Sequence, residues 1–391
     1  MSTPTLEVAD VIRAHGDEYR KTQRLPRRQV KVLRALVSCR TAILGGHVDR
    51  CDSCGHERIS YNSCRNRHCP KCGSLAKEKW LRQRERELLP VPYFHIVFTL
   101  PDDLNALALV NPTVLYSMLF QTAAETLLCL GRDQKHLGAE IGLIAVLHTW
   151  GQNLTCHPHV HCIVPGGGLS VDGSRWIGSR ENYFIPVHAL SQVFRGKFLA
   201  SLKWAYRRGK LKCIGECEVL RNKEKFQQLL DRLYSKGWVV YAKQPFGGPE
   251  QVLAYLGRYT HRVAISNHRL VSMAKGKVSF RWRDYRDGSK EKVMTLEACE
   301  FIRRFLLHVL PDRFPKIRYY GLLSRKKRTK SLAQCRALLG MPDRTSEPQY
   351  TKGWEDLLLE ITGTDVRQCP KCHAGHMRMD HRLEPIQRAG P

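Results

Sequence analysis

Two residue patterns, far apart in the chain, constrain it most. His157-Pro158-His159-Val160-His161 sets histidines on either side of one apolar residue. Along a strand successive side chains alternate between faces, so His159 and His161 point the same way. Tyr255 and Tyr259 are separated by three residues, a spacing that on a helix stacks one hydroxyl above the other. A strand with two imidazoles on one face and a helix with two phenols on one side call for an α+β fold.

The chemistry follows from the residue types. Two neutral imidazoles can hold a divalent ion and leave coordination positions open, where magnesium or manganese would polarise a phosphate. A phenol has a pKa near 10, so Tyr255 and Tyr259 need activation by an ion or by neighbouring cations. Arg258, His261 and Arg262 lie beside them. The plain alternatives are a pair of surface histidines and two tyrosines on the core face of an amphipathic helix. His157-Pro158 before the pair and Gly166-Gly167-Gly168 after it favour a built site. A third ligand is expected, and His95, His148 and Gln152 are its candidates. Tyr319 and Tyr320 form a rival pair, but adjacent residues point apart.

The 391 residues allow two or three domains, and 64 Lys and Arg against 36 Asp and Glu give a formal charge of +28. That excess predicts a polyanionic partner, and DNA fits through counterion release. No lipidation motif or long basic amphipathic helix supports a membrane partner. Apolar stretches such as Ile141 to Leu147 are too short to span a bilayer. The N-terminus has no signal-peptide pattern, so a cytoplasmic location is expected. No small-molecule substrate is implied.

The 15 cysteines include Cys51-x-x-Cys54 and Cys69-x-x-Cys72. Two such pairs supply four thiolates for one tetrahedral zinc ion, a closed site that builds structure. Cys39, His47, Cys64 and His68 lie close enough in sequence to substitute. Arg65 and Arg67 flank the cysteines and are candidate DNA contacts. Cys369-x-x-Cys372, with His373, His376 and His381, is a weaker second knuckle.

Residues 1–45 read as a basic helical segment, 46–90 as a zinc-binding domain, 91–300 as a catalytic domain and 301–391 as a basic C-terminal region. Strands are expected at Tyr93 to Leu100, Ile141 to Trp150, Val160 to Val164 and Trp238 to Lys243, and helices at Thr113 to Leu130 and Val187 to Arg208. That order predicts a ferredoxin-like antiparallel sheet with helices. A helix opening at Pro249 would carry Tyr255 and Tyr259. A hairpin is expected around Asp287-Gly288, and a further helix from Leu296 to Leu310.

Cys64-Arg65-Asn66-Arg67-His68-Cys69-Pro70-Lys71-Cys72, His95 to Pro101, His157 to Gly168 and Tyr255-Leu256-Gly257-Arg258-Tyr259-Thr260 occur in this order. Together they resemble the HUH-class rolling-circle insertion-sequence transposases, in the two-tyrosine branch with an N-terminal zinc-binding domain. The resemblance implies an HUH endonuclease fold, His159 and His161 as metal ligands, and Tyr255 and Tyr259 as nucleophiles. It also implies a 5′-phosphotyrosine intermediate formed on single-stranded element ends. No Gly-x-x-x-x-Gly-Lys-Ser/Thr loop occurs, so unwinding would fall to host replication or helicase proteins. A replication initiator or relaxase would share this chemistry. A non-catalytic zinc-dependent DNA-binding protein would explain the charge and the cysteines alone. An acidic-triad nuclease has no acidic cluster to support it.

Overall fold

The computed structural model describes residues 6–180, 184–243, 251–252, 255, 257, 264–285, 287–342 and 353–386. Its centre is a five-stranded antiparallel sheet. Strands β3 (Tyr93–Thr99), β4 (Gly142–Trp150), β5 (Cys156–Pro165), β8 (Val240–Lys243) and β12 (Ile317–Gly321) run in the order β12-β4-β5-β3-β8. Helices α4 (Asn105–Val110) and α5 (Pro112–Arg132) connect β3 to β4, and the short pair β6 (Gly167–Leu169) and β7 (Trp176–Gly178), then α6 (Val187–Arg207) and α7 (Lys223–Ser235), lie between β5 and β8. The β-α-β-β-α-β run with β5 between its neighbours is the ferredoxin-like order, extended by β12.

Alternation divides the sheet's residues. Phe94, Ile96 and Phe98 of β3, Leu143, Ala145 and Leu147 of β4, and Val160, Cys162 and Val164 of β5 pack into one core with α5 and α6. The register pairs His159 with both Thr99 and His148, and His161 with both Val97 and Val146. His95, His148, His159 and His161 therefore share the opposite face.

Helix α5 starts where Asn111-Pro112 puts proline at the first helical position, where its missing N–H costs nothing. By length and composition this helix could cross a membrane, contrary to the expectation that no such stretch exists. Its apolar residues are instead spent on the sheet: Leu115, Leu119, Ala123 and Leu127 are buried in that core.

A second core joins segments that sequence boundaries at 45, 90 and 300 separate. Helices α1 (Val8–Thr22) and α2 (Arg27–Ser38), divided at Pro26, pack against a later module. That module holds the meander β9 (Leu270–Ala274), β10 (Lys277–Asp284) and β11 (Lys290–Glu297), with α8 (Ala298–Leu307) after it. Val11, Leu33, Leu36, Phe280, Phe301 and Phe305 meet there. The loop from β4 to β5 is tied into this module. Leu154 is buried in it, Arg304 donates to the Asn153 carbonyl at 3.1 Å, and His308 Nε2 donates to the Leu154 carbonyl at 3.0 Å.

Near the N-terminus, β1 (Gly46–Cys51) pairs with β2 (Glu57–Tyr61) on one side. On its other side it pairs with β13 (Met377–Leu383), the last strand among the described residues. Helix α3 (Gly73–Glu85) leads from the cysteine-rich segment back to the sheet.

Phe98 is fully buried between the sheet and α6, against Phe194 at a centroid distance of 4.9 Å. Phe98→Ala should cost about 3–5 kcal/mol through the cavity it leaves. Urea denaturation of the variant checks this, and an unchanged midpoint would mean that this core is not the one that holds the sheet.

Candidate functional site

Three histidines converge on the face of the sheet away from α5 and α6. Ring nitrogens of His148, His159 and His161 all lie within 4.8 Å of one another. His148 also stacks on Trp150 at 4.6 Å. Of the candidates for a third donor, His148 joins the pair directly, whereas the Gln152 side chain turns to the Tyr285 hydroxyl.

The local structure sets which nitrogens are available. His159 Nδ1 lies 2.7 Å from the His157 carbonyl. A carbonyl only accepts, so Nδ1 carries the proton and Nε2 keeps its lone pair. Burial holds these rings neutral. It lowers His159 to about 3 and His161 well below the usual range, and His157 and His148 nearby add to the respective shifts. A neutral imidazole is the state a metal ligand needs. His159 and His161, with His148, place three ring nitrogens where one divalent ion could be held.

Tyr255 enters this group. Its Oη lies 2.8 Å from His95 Nε2, which is itself 2.8 Å from His161 Nδ1. Residues 251, 252, 255 and 257 are helical. Val252 and Tyr255 pack into a third core with Val146, Ile163 and Leu322, on the histidine face of the sheet. A Cβ at Gly257 would come within 2.7 Å of Leu81 on α3, so glycine lets this helix lie close there. Tyr259, Arg258 and Arg262 lie outside the described residues. Tyr319 and Tyr320 do point apart. Tyr319 accepts from Trp80 Nε1 at 3.1 Å and Arg84 Nη1 at 2.9 Å, while Tyr320 packs on the α5 side.

The cysteines form two four-thiol groups, each with its sulfurs within 4.8 Å: Cys39, Cys64, Cys69 and Cys72, and separately Cys51, Cys54, Cys369 and Cys372. The expected set of Cys51, Cys54, Cys69 and Cys72 is thus split. The β1–β2 hairpin carries the first pair toward β13, while Cys69 and Cys72 turn back toward the end of α2. Sequence spacing could not reveal this, because strand pairing rather than proximity along the chain chooses the partners. Cys39 and Cys64 were visible only as possible substitutes.

Arg65 is exposed, with a left-handed backbone at φ 50°. Arg67 points its guanidinium at the Phe314 and Pro311 carbonyls, so it braces the loop before β12. A phosphate would have to share it.

Residues 142–330 match a family described as "Putative transposase", and residues 11–100 one described as "Transposase zinc-binding domain". The chain is 54% identical over 373 residues to "Putative transposase y4qJ" of Sinorhizobium fredii, covering 95% of this chain and 94% of the relative. It is 29% identical over 314 residues to the "Transposase for insertion sequence element IS801" of Pseudomonas savastanoi pv. phaseolicola, covering 76% and 71%. No solved structure matches. The fold and the matches together define a DNA-processing enzyme with a zinc-binding N-terminal region. More particularly, the chain belongs to the two-tyrosine, IS91-type insertion-sequence transposases.

Several buried and half-buried histidines resist protonation. Burial lowers His68 and His159 to about 3, His95 and His308 to about 4, and His161 well below its usual range. Below pH 6.5 the unfolded chain takes up protons that the fold refuses. Stability should therefore fall as pH drops from about 6.5 towards 4, by about 1.4 kcal/mol per pH unit for each histidine. Urea midpoints at pH 7.5, 6 and 5 check this, and a midpoint constant across that range would mean that these rings titrate freely.

Proposed function

We propose that this transposase cleaves and rejoins single-stranded DNA at insertion-sequence ends through a 5′-phosphotyrosine. The observation that carries the reading is the Tyr255 hydroxyl set 2.8 Å from His95, beside the histidine cluster. In this reading Tyr255 Oη attacks the scissile phosphorus, the tyrosine O–P bond forms, and the bond to the 3′ oxygen breaks. His95 holds the phenol oxygen in place, the phenol proton passes to water, and the departing 3′ oxygen takes a proton from water to become a free hydroxyl. The phosphodiester's energy is kept in the tyrosine ester, so a 3′ hydroxyl can later reverse the step and rejoin the strand.

His159 and His161, with His148 as third donor, would hold magnesium or manganese, which when bound supplies positive charge at the scissile phosphate. The sheet fixes their relative positions, and the His157 carbonyl orients the His159 ring. Tyr259 is assigned the second strand in transfer, because its spacing from Tyr255 sets both on one side of a helix. Arg258, Arg262, Arg65 and Arg67 are assigned to DNA phosphates. Unwinding is assigned to host replication or helicase proteins, and the site of action to the bacterial cytoplasm at the nucleoid.

The test is a denaturing gel of the protein with labelled single strands from both flanks of its gene, in manganese or magnesium. A metal-dependent covalent band should form, disappear in His159→Ala and in Tyr255→Phe/Tyr259→Phe, and form roughly 10²-fold more slowly in His95→Gln, which no longer positions the phenol. Tight DNA binding without an adduct on any strand would defeat the reading and leave a DNA-binding protein.

A further inference from the structure

The family's zinc-binding domain matches residues 11–100. Cys39, Cys64, Cys69 and Cys72 lie wholly inside that span and make a complete four-thiol set. Cys51 and Cys54 lie inside it too, but their partners Cys369 and Cys372 lie beyond both matched families. We propose that Cys51, Cys54, Cys369 and Cys372 form a second zinc site, a clasp that joins the zinc-binding region of the transposase to the segment that carries β13.

Geometry supports a metal over a disulfide. Cys51 Sγ is 3.7 Å from Cys372 Sγ, and Cys54 Sγ is 3.7 Å from Cys369 Sγ. With zinc–sulfur bonds near 2.3 Å, the edge of a ZnS₄ tetrahedron is about 3.8 Å. A disulfide needs its sulfurs about 2.05 Å apart.

The two knuckles share one construction. The Cys51 N–H donates to the His56 carbonyl at 2.9 Å, and the Gly55 N–H to the Cys51 carbonyl at 3.1 Å. In the other knuckle the Cys369 N–H donates to the Gly375 carbonyl at 2.9 Å, and the His373 N–H to the Cys369 carbonyl at 3.0 Å. Gly55 and His373, each just after the second cysteine, are both left-handed, at φ 67° and 55°. Backbone N–H groups point at the sulfurs: Ser53 and Cys54 at Cys51, Lys371 at Cys369, and Gly375 at Cys372. Such donors favour thiolate, the ligating form. Gly375 allows the close approach, since a Cβ there would lie 2.5 Å from Cys51 Sγ.

The knuckles are also brought together without a metal. β1 pairs with β13 from Cys51↔Met377 to Gly46↔Leu383. The His376 N–H donates to Asp52 at 2.8 Å, and Arg58 Nη1 donates to the Val366 carbonyl at 3.0 Å. Preassembled ligands lower the ordering cost of binding an ion.

Cobalt substitution of the full chain tests this, because thiolate-to-cobalt charge-transfer absorbance counts only thiolate-bound ions and ignores the histidine cluster. Together with zinc content by elemental analysis, the wild type should show two thiolate-bound ions per chain. Cys369→Ser/Cys372→Ser and Cys64→Ser/Cys72→Ser should each show one. A wild-type count of one would overturn the clasp, and that result does not depend on how a variant folds. Two ions retained in Cys369→Ser/Cys372→Ser, or a disulfide found between the knuckles by non-reducing peptide mapping, would overturn it as well. DNA cleavage is not read in this experiment, so its outcome is separate from that of the phosphotyrosine reading.

Discussion

The pairing of β5 with β3 and β4 is the constraint on which the rest of the molecule depends. It is buried on both faces, and the two faces need opposite chemistry. One must be apolar to receive α5 and α6, and the other must gather His95, His148, His159 and His161. Because the side-chain period is two, a slip of one residue would drive imidazoles into the helix core and valine and cysteine onto the histidine face. The large apolar face is therefore what holds the polar one in register.

That sheet does not stand alone. Its β4–β5 loop, which leads directly into His157 and His159, is held by the second core through Leu154, Arg304 and His308. The same core is closed by α1 and α2 at the front of the chain. The N-terminal helices therefore act on the site's rim through packing, without reaching the histidines. The helix of Tyr255 is held by a third core, shared with the histidine face of the sheet. Each component of the site thus rests on a different set of apolar contacts.

Much of this was legible in the sequence, where local pattern and tertiary outcome agreed. The β-branched and aromatic run from Tyr93, the proline at the start of α5 and the Asp287-Gly288 turn each specify their element. The HxH alternation correctly sets His159 and His161 on one face. His148 was one of three open candidates for the third donor, because a lone histidine in an apolar strand carries no mark of its cross-strand partner. The sequence does not announce β12, because Ile317 to Gly321 is short and carries two tyrosines that read as a motif. The grouping of the cysteines is hidden from the sequence for a related reason. Ligand spacing is informative only when a site is local, and here the second half of one group lies 315 residues away.

The pairing of β1 with β13 has a consequence for how the protein is made. A chain leaves the ribosome from its N-terminus, at about 5–20 residues per second, so β1 emerges roughly 20–70 s before the strand that completes its sheet. Throughout that interval the hairpin of β1 and β2 has one open edge, the kind that recruits foreign strands. It stays open until β13 has been made and paired. A chain cut short before β13 would carry the whole histidine-bearing sheet and still leave that first edge uncovered.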